Sequence, residues 1–197
     1  MKILKRVLIV LFIIVLAFVL GAYLFVSPKH GFESSIVIKA DRATIFNQIN
    51  DFHNFNNFSP WYKLDTLAEI TVEGEAGEVG HKYSWSSNNK DVGKGYLMRL
   101  ETADNDSIIN EMYFADFDSK SLDIWYLEDV PEGVKVRWVY KGDAGNSVMM
   151  RYMSLLLPGM MEPFTMQGLE KLKAICETPS PTMEEGTGSS DSSSTSI

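Results

Sequence analysis

The chain opens with an uninterrupted apolar run. Residues 7–26, VLIVLFIIVLAFVLGAYLFV, carry no charge. A helix needs ~20 apolar residues to cross the hydrocarbon core of a bilayer, so this run predicts a membrane-spanning anchor. A cleaved signal peptide is the competing interpretation. It would have a shorter apolar region of ~7–15 residues and end in small residues, whereas this run ends YLFVSP.

The charges beside the apolar run predict its orientation. Lys2, Lys5 and Arg6 precede the run, and only Lys29 and His30 follow it closely. Because basic residues stay on the cytoplasmic side, we expect residues 1–6 in the cytoplasm and the rest of the protein on the extracytoplasmic side of the membrane. Residues 27–31 then form a short linker.

Beyond the linker, the spacing of apolar residues changes twice. Residues 33–39 form a predicted strand, and Asp41 caps a predicted helix that ends near Ile49. Aromatic-rich residues 51–62 read as a short helix or turn. From residue 69 to residue 140 apolar and polar positions alternate in about six runs separated by glycine or Asp/Asn turns, which indicates an antiparallel meander.

A helical period returns near the end of the chain. Residues 148–177 carry apolar side chains at helical spacing, and Pro158-Gly159 predicts a broken or kinked helix. Residues 178–197 are rich in Ser, Thr, Gly and Pro, so we expect a disordered tail.

This order of elements predicts an α+β fold in which a curved antiparallel sheet wraps around the long C-terminal helix. The sheet must cover its inner face, and that helix is the element long enough to do so. Space left between the sheet and the helix is a natural cavity.

Several segments resemble the SRPBCC superfamily of START-like, helix-grip proteins, which includes the polyketide cyclase/dehydrase type. The resemblance spans residues 32–177. It is carried by SIVIKAD followed by Ile45-Phe46, by Ser59-Pro60-Trp61, by the glycines before YSW, by VKVRW and by FTMQGLEKLK. It implies that a hydrophobic ligand binds between sheet and helix. Some relatives cyclise or hydrate polyketides and others carry lipids, so the resemblance transfers no catalytic residue.

Composition narrows the classes of partner, disulfide and cofactor that the chain can have. A net charge of -8 argues against a nucleic-acid partner. The single cysteine, Cys176, excludes an intramolecular disulfide. The three histidines show no metal-ligand spacing and no nucleotide fingerprint is complete, so we expect neither metal nor cofactor.

Two polar positions interrupt the apolar strand faces. Asp123 shares a face with Trp125, and Asn110 shares one with Met112. A carboxylate in an apolar cavity has a raised pKa and can serve as an acid or base. The alternative is that Asp123 lies at the sheet rim or pairs with a cation such as Arg99. His53 is a second weak candidate for acid/base chemistry.

The predicted ligand pocket combines inward strand positions with residues of the flanking helices. Whether the methionines on the C-terminal helix belong to the core or to the pocket stays open. The predicted pocket residues are Trp61, Tyr83, Trp85, Met98, Asn110, Met112, Phe114, Asp123, Trp125, Trp138, Met149, Met153 and Phe164.

Three functions are compatible with these observations. The first is a membrane-anchored, non-catalytic carrier or sensor that binds an apolar small molecule or lipid. The second is a protein-interaction module at the membrane, and the third is a polyketide cyclase- or hydratase-like enzyme. The absence of a recognisable acid/base constellation places binding first.

Overall fold

A computed structural model describes residues 2–178 of the 197-residue chain. The prediction of a disordered tail falls on residues that lie almost wholly outside the described part. The helices and strands, in chain order, are α1 (Lys2–Phe25), β1 (Lys29–Ile38), α2 (Arg42–Asn50), α3 (Phe55–Phe58), β2 (Glu69–Glu73), β3 (Lys82–Ser86), β4 (Lys94–Ala103), β5 (Ser107–Phe114), β6 (Ser119–Val130), β7 (Gly133–Asp143) and α4 (Val148–Glu177).

The seven strands form one antiparallel sheet in the order β1-β7-β6-β5-β4-β3-β2. Strands β2 to β7 are consecutive neighbours, as expected for a meander joined by short turns. The last strand, β7, also pairs with the first strand, β1. The long helix α4 lies against β1 and packs on the inner face of the sheet. The predicted α+β helix-grip architecture is confirmed.

The core occupies the half of the inner face that lies furthest from α1. Alternation along the strands turns Ile38, Val136 and Ile108 inward, where they meet Leu169 and Leu172 of α4. Helix α2 closes this end. It begins after Asp41, whose carboxylate accepts a hydrogen bond of 2.8 Å from the backbone N–H of Thr44, as the sequence predicted for an N-cap.

Of the two predicted forms of the C-terminal helix, broken or kinked, the broken form is wrong. Helix α4 runs continuously for 30 residues through Pro158 and Pro163. A proline removes one backbone hydrogen bond, but contacts on the C-terminal side of both prolines hold the helix against β1. The Thr165 hydroxyl lies 2.6 Å from that of Ser34, and Lys173 donates a 2.7 Å hydrogen bond to the carbonyl of Val37.

Helix α1 leaves the domain with almost no intervening chain. It ends at Phe25 and β1 begins at Lys29, inside the stretch expected to be a linker. Within residues 2–178 it is the one helix long and apolar enough to cross a membrane, a test that an N-terminal signal sequence also passes.

Candidate functional site

A buried polar network surrounds Asp123 in the middle of the inner face. Register pairs Asp123 with Asn110 across β5 and β6, and both side chains are almost fully buried. The Asp123 carboxylate accepts hydrogen bonds from the indole N–H of Trp138 (2.5 Å), the indole N–H of Trp125 (3.0 Å) and the amide of Asn110 (2.8 Å). Three donors therefore converge on one carboxylate.

Arg99 extends this network towards α2. Its guanidinium is fully buried and donates a 2.8 Å hydrogen bond to the Asn110 side-chain oxygen. It also donates to the side chain of Asn50 and, over 3.1 Å, to the backbone carbonyl of that residue. A register shift in β4 lies beside Arg99. The arginine thus ties an irregular strand to the end of α2, and it reaches Asp123 through Asn110 rather than directly.

Burial sets the ionisation of both charged groups. Removal from water raises the pKa of Asp123, although the three N–H donors and Arg99 oppose this shift by binding the anion. Burial lowers the pKa of Arg99 to about 10. Each Asp123 oxygen already accepts a protein hydrogen bond, and the side chain is shielded from solvent, so the geometry suits a structural network better than proton transfer to a substrate.

His53, the other acid/base candidate, lies on the surface in a small polar cluster. Its ring Nδ1 is 2.7 Å from Asp51, and His81 lies behind this pair. Ligand atoms of Asp51, His53 and His81 come within 4.8 Å of one another. However, Nε2 of buried His81 accepts a 3.0 Å hydrogen bond from the backbone N–H of Phe52.

The hydrogen bond from Phe52 fixes the tautomer of His81. A nitrogen that accepts from Phe52 cannot also carry a proton, so Nδ1 holds the proton and donates to the carbonyls of Glu73 and Gly74 at 3.1 and 3.2 Å. Both ring nitrogens are committed to backbone groups. The cluster therefore does not present three free ligands to a metal ion.

The other half of the inner face has a different character. There the side chains are apolar and aromatic but only half-buried, which leaves a surface for a ligand to cover. We call this the inner-face patch; it comprises Trp61, Trp85, Met112, Phe114, Tyr140 and Phe164. Trp85 meets Phe114 edge-on with ring centroids 5.8 Å apart, and Trp61 stacks on Phe164 at 6.4 Å.

Gly95 brings Trp85 and Phe114 together. It lies between them in register, paired with Trp85 on one side and with Phe114 on the other. A Cβ at this position would lie 2.6 Å from the Trp85 ring and 2.1 Å from the carbonyl of Tyr113. Only glycine lets the tryptophan lie over β4.

The strand register places three residues of the inner-face patch, Trp85, Met112 and Phe114, at the sheet end next to α1, whereas Tyr140 lies further in and pairs with Asp123. Lys29, the first residue of β1, pairs with Asp143 at the end of β7. From there the pairing continues across the sheet at the same end of the strands. Gly142 of β7 pairs with Ser121 of β6, and Ser119 of β6 pairs with Phe114 of β5. Phe114 then pairs with Gly95 of β4, and Gly95 pairs with Trp85 of β3.

The structure distributes the predicted pocket residues over three environments. Trp61, Trp85, Met112, Phe114 and Phe164 belong to the inner-face patch. Tyr83, Asn110, Asp123, Trp125 and Trp138 lie deeper on the same face and are buried.

Three predicted pocket residues lie elsewhere. Met98 is on the outer face of β4, opposite Lys82 and Glu111. Met149 and Met153 are exposed on α4.

Sequence reasoning left out one residue of the patch and the hydrogen-bond pairings of the network, including that of Arg99 with Asn50. Tyr140 continues the alternation of Val134, Val136 and Trp138, so a signal for its inward position was present in the sequence. Burial raises its pKa. The contact between Arg99 and Asn50 had no such signal, because it joins residues 49 positions apart across a strand irregularity.

Comparison by sequence finds no matching family model and no matching curated protein. Solved structures do match. The di-domain aromatase/cyclase (ARO/CYC) StfQ from the steffimycin biosynthetic pathway is 12% identical, with a TM-score of 0.59, over 76% of this chain and 51% of that one. Ginseng (Panax ginseng) major latex-like protein 151 is 17% identical, with a TM-score of 0.52, over 76% of this chain and 99% of that one.

The chain has a helix-grip fold. A third helix-grip structure, the Aha1 dimer from Colwellia psychrerythraea, is 15% identical, with a TM-score of 0.51, over 75% of this chain and 96% of that one. The matches cover about three quarters of this chain, and they support the fold predicted from sequence. Helix-grip proteins with such different names share a scaffold, so function must be argued from the residues of this chain.

Proposed function

We propose that this protein is a membrane-anchored helix-grip domain that binds the apolar part of a lipid or similar small molecule on the inner-face patch. Helix α1 holds the domain at the bilayer, with the N-terminus in the cytoplasm and the domain on the other side. The protein presents or carries its ligand and does not transform it.

One observation carries this proposal: the half-buried end of the grip is the end from which α1 leaves. At the opposite end Trp125, Phe58 and Leu169 fill the space between sheet and helix and are buried. Unfilled apolar surface therefore lies where the anchor enters the bilayer. Covering such surface is favourable at ~25 cal/mol per Å², and an acyl chain from the membrane has the right chemistry to do it.

The enzyme alternative has less support from the geometry. Asp123 is shielded and engaged by three donors, and His53 lies on the surface beside Asp51. Neither side chain belongs to the inner-face patch. A ligand on the patch would therefore meet aromatic rings, a thioether and a single ionisable group, the phenol of Tyr140, whose pKa burial raises further above neutrality.

Native mass spectrometry of the full chain in mild detergent tests the proposal. Phe114→Arg puts a charge on the patch, whereas Tyr113→Arg makes the same change on the other face of the same strand, next to Asp118. We expect a discrete lipid-sized mass on the wild type and on Tyr113→Arg, and none on Phe114→Arg. Retention of the same mass by Phe114→Arg, or a bare wild-type chain, contradicts the proposal.

A further inference from the structure

The first half of α4 carries an apolar stripe that neither the core nor the inner-face patch uses. Met149, Met153, Leu156 and Met160 recur at helical spacing and are 44–65% exposed, with Leu155 beside them. We define these five residues as the α4 stripe. Further along the same helix the exposed positions carry no large apolar side chain and include Glu162, Gln167 and Glu170.

The α4 stripe is continuous with the lipid-facing surface of α1. The ring of Tyr152, next to Met153, stacks on Phe18 with centroids 4.4 Å apart, and its hydroxyl donates a 2.9 Å hydrogen bond to the carbonyl of Phe18. A Cβ on Gly21 would lie 2.8 Å from that hydroxyl. The small residue therefore permits a close approach of the two helices.

The one charge in this half of α4 points towards the C-terminal end of α1. Between Val148 and Met161 the only charged residue is Arg151, and it is buried. Its guanidinium donates to the carbonyl of Val26 at 2.9 Å and to that of Ala22 at 3.4 Å, and it lies over the Tyr23 ring. A cation at the C-terminus of a helix satisfies carbonyls that have no partner within the helix. The α4 stripe itself therefore contains no charged side chain.

The contact with Phe18 also fixes how far along α1 the side chain of Tyr152 lies. Phe18 lies eight residues before Val26. At a rise of 1.5 Å per residue this is about 12 Å along α1. If α1 crosses the bilayer, the Tyr152 hydroxyl reaches well below the end of the apolar run, and the first turns of α4 must lie at the membrane surface or within it.

From these observations we infer that the α4 stripe is a second membrane-contacting element, inserted in the outer leaflet beside α1. The inference rests on the proposed membrane anchor. The occupant of the stripe is the lipid acyl region, because the stripe continues the apolar surface of α1 and carries no free charge. The domain is thereby held flat against the bilayer instead of hanging on a flexible tether.

Depth-dependent fluorescence quenching tests this inference on the full chain in phosphatidylcholine vesicles. Single cysteines are introduced as Phe12→Cys on α1, Leu156→Cys on the stripe, and Gln167→Cys as the matched control on the exposed face of the same helix. Each is labelled with an environment-sensitive fluorophore. Cys176 stays in place, because burial raises its pKa to about 11 and keeps it unreactive. Met153→Cys gives a second stripe site.

We expect nitroxide groups on the lipid acyl chains to quench the labels at Leu156 and Met153 at least half as strongly as the label at Phe12. Aqueous iodide should quench only the label at Gln167. If the stripe labels behave like Gln167 while Phe12 is quenched by lipid, the anchor stands and the inference fails. If Phe12 also escapes lipid quenching, the anchor itself is wrong. Stripe labels shielded from both quenchers would show a protein cover, such as a second copy, and overturn the inference.

Discussion

At the scale of residues, the most constrained group is the Asp123 carboxylate. Because successive side chains of a strand point to opposite faces of the sheet, the sequence predicted that Asp123 and Asn110 point to the inner face. The partners that decide its role could not be read in this way. Trp138 is a neighbour only through the pairing of β6 with β7, and Trp125 donates to the carboxylate from the next inward position of β6.

Asp123→Asn should destabilise the fold. An asparagine keeps the size of the side chain but turns one acceptor into a donor, which then faces the N–H groups of Asn110 and the indoles. It also leaves Arg99 buried without its nearby anion. We expect the free energy of unfolding to fall by about 3 kcal/mol, measured by urea denaturation and tryptophan fluorescence. Asp91→Asn, on an exposed turn, is the control; equal stability of the two variants would refute the structural role.

Cys176 should behave as an inert core thiol. It is 8% exposed and burial raises its pKa from 9.0 to about 11. At pH 8 the thiolate fraction falls about a hundredfold for a shift of this size, so a disulfide reagent should react slowly with the native chain. The rate should climb as the pH approaches 11 and should reach that of a free cysteine in denaturant. Rapid labelling of the native protein at pH 8 would contradict this burial.

At the scale of elements, most of the fold was readable from the sequence. The six alternating runs became β2 to β7, and Asp41 caps α2 as predicted. The errors lie where tertiary contacts override a local rule. Pro158 predicted a break in α4, but packing against β1 on the far side of both prolines keeps the helix continuous. Residues 29–31 read as linker because their strand character depends on pairing with β7.

Two glycines in α4 should respond in opposite ways to alanine. At Gly168 a Cβ would lie 2.9 Å from the Trp138 ring, which is stacked on Trp125 at 4.2 Å and has no room to move. Gly168→Ala should therefore lower the free energy of unfolding by ~1–3 kcal/mol. At Gly159 no atom lies within 4 Å of the added Cβ, so Gly159→Ala should raise it by ~0.5–1 kcal/mol. Thermal unfolding distinguishes them; a stabilising Gly168→Ala would mean that α4 does not press on β7.

At the scale of the whole molecule, the account depends on where two apolar surfaces lie relative to each other. The sequence contains both of them, as an apolar run and as alternating aromatic residues. Their placement at the same end of the domain emerges only from the strand register, which runs from Lys29 across the sheet to Trp85. Under the proposed function, this arrangement turns a common fold into a lipid-binding site that faces the membrane.

Photo-cross-linking in the bilayer tests this claim most directly. The full chain is reconstituted with a phospholipid that carries a diazirine on its acyl chain, irradiated, and digested to map the modified peptides. We expect cross-links at Trp85, Phe114 and Phe164 in addition to those on α1, and their loss in Phe114→Arg but not in Tyr113→Arg. Cross-links confined to α1 and the α4 stripe, with none on the inner face of the sheet, would contradict ligand binding by the grip.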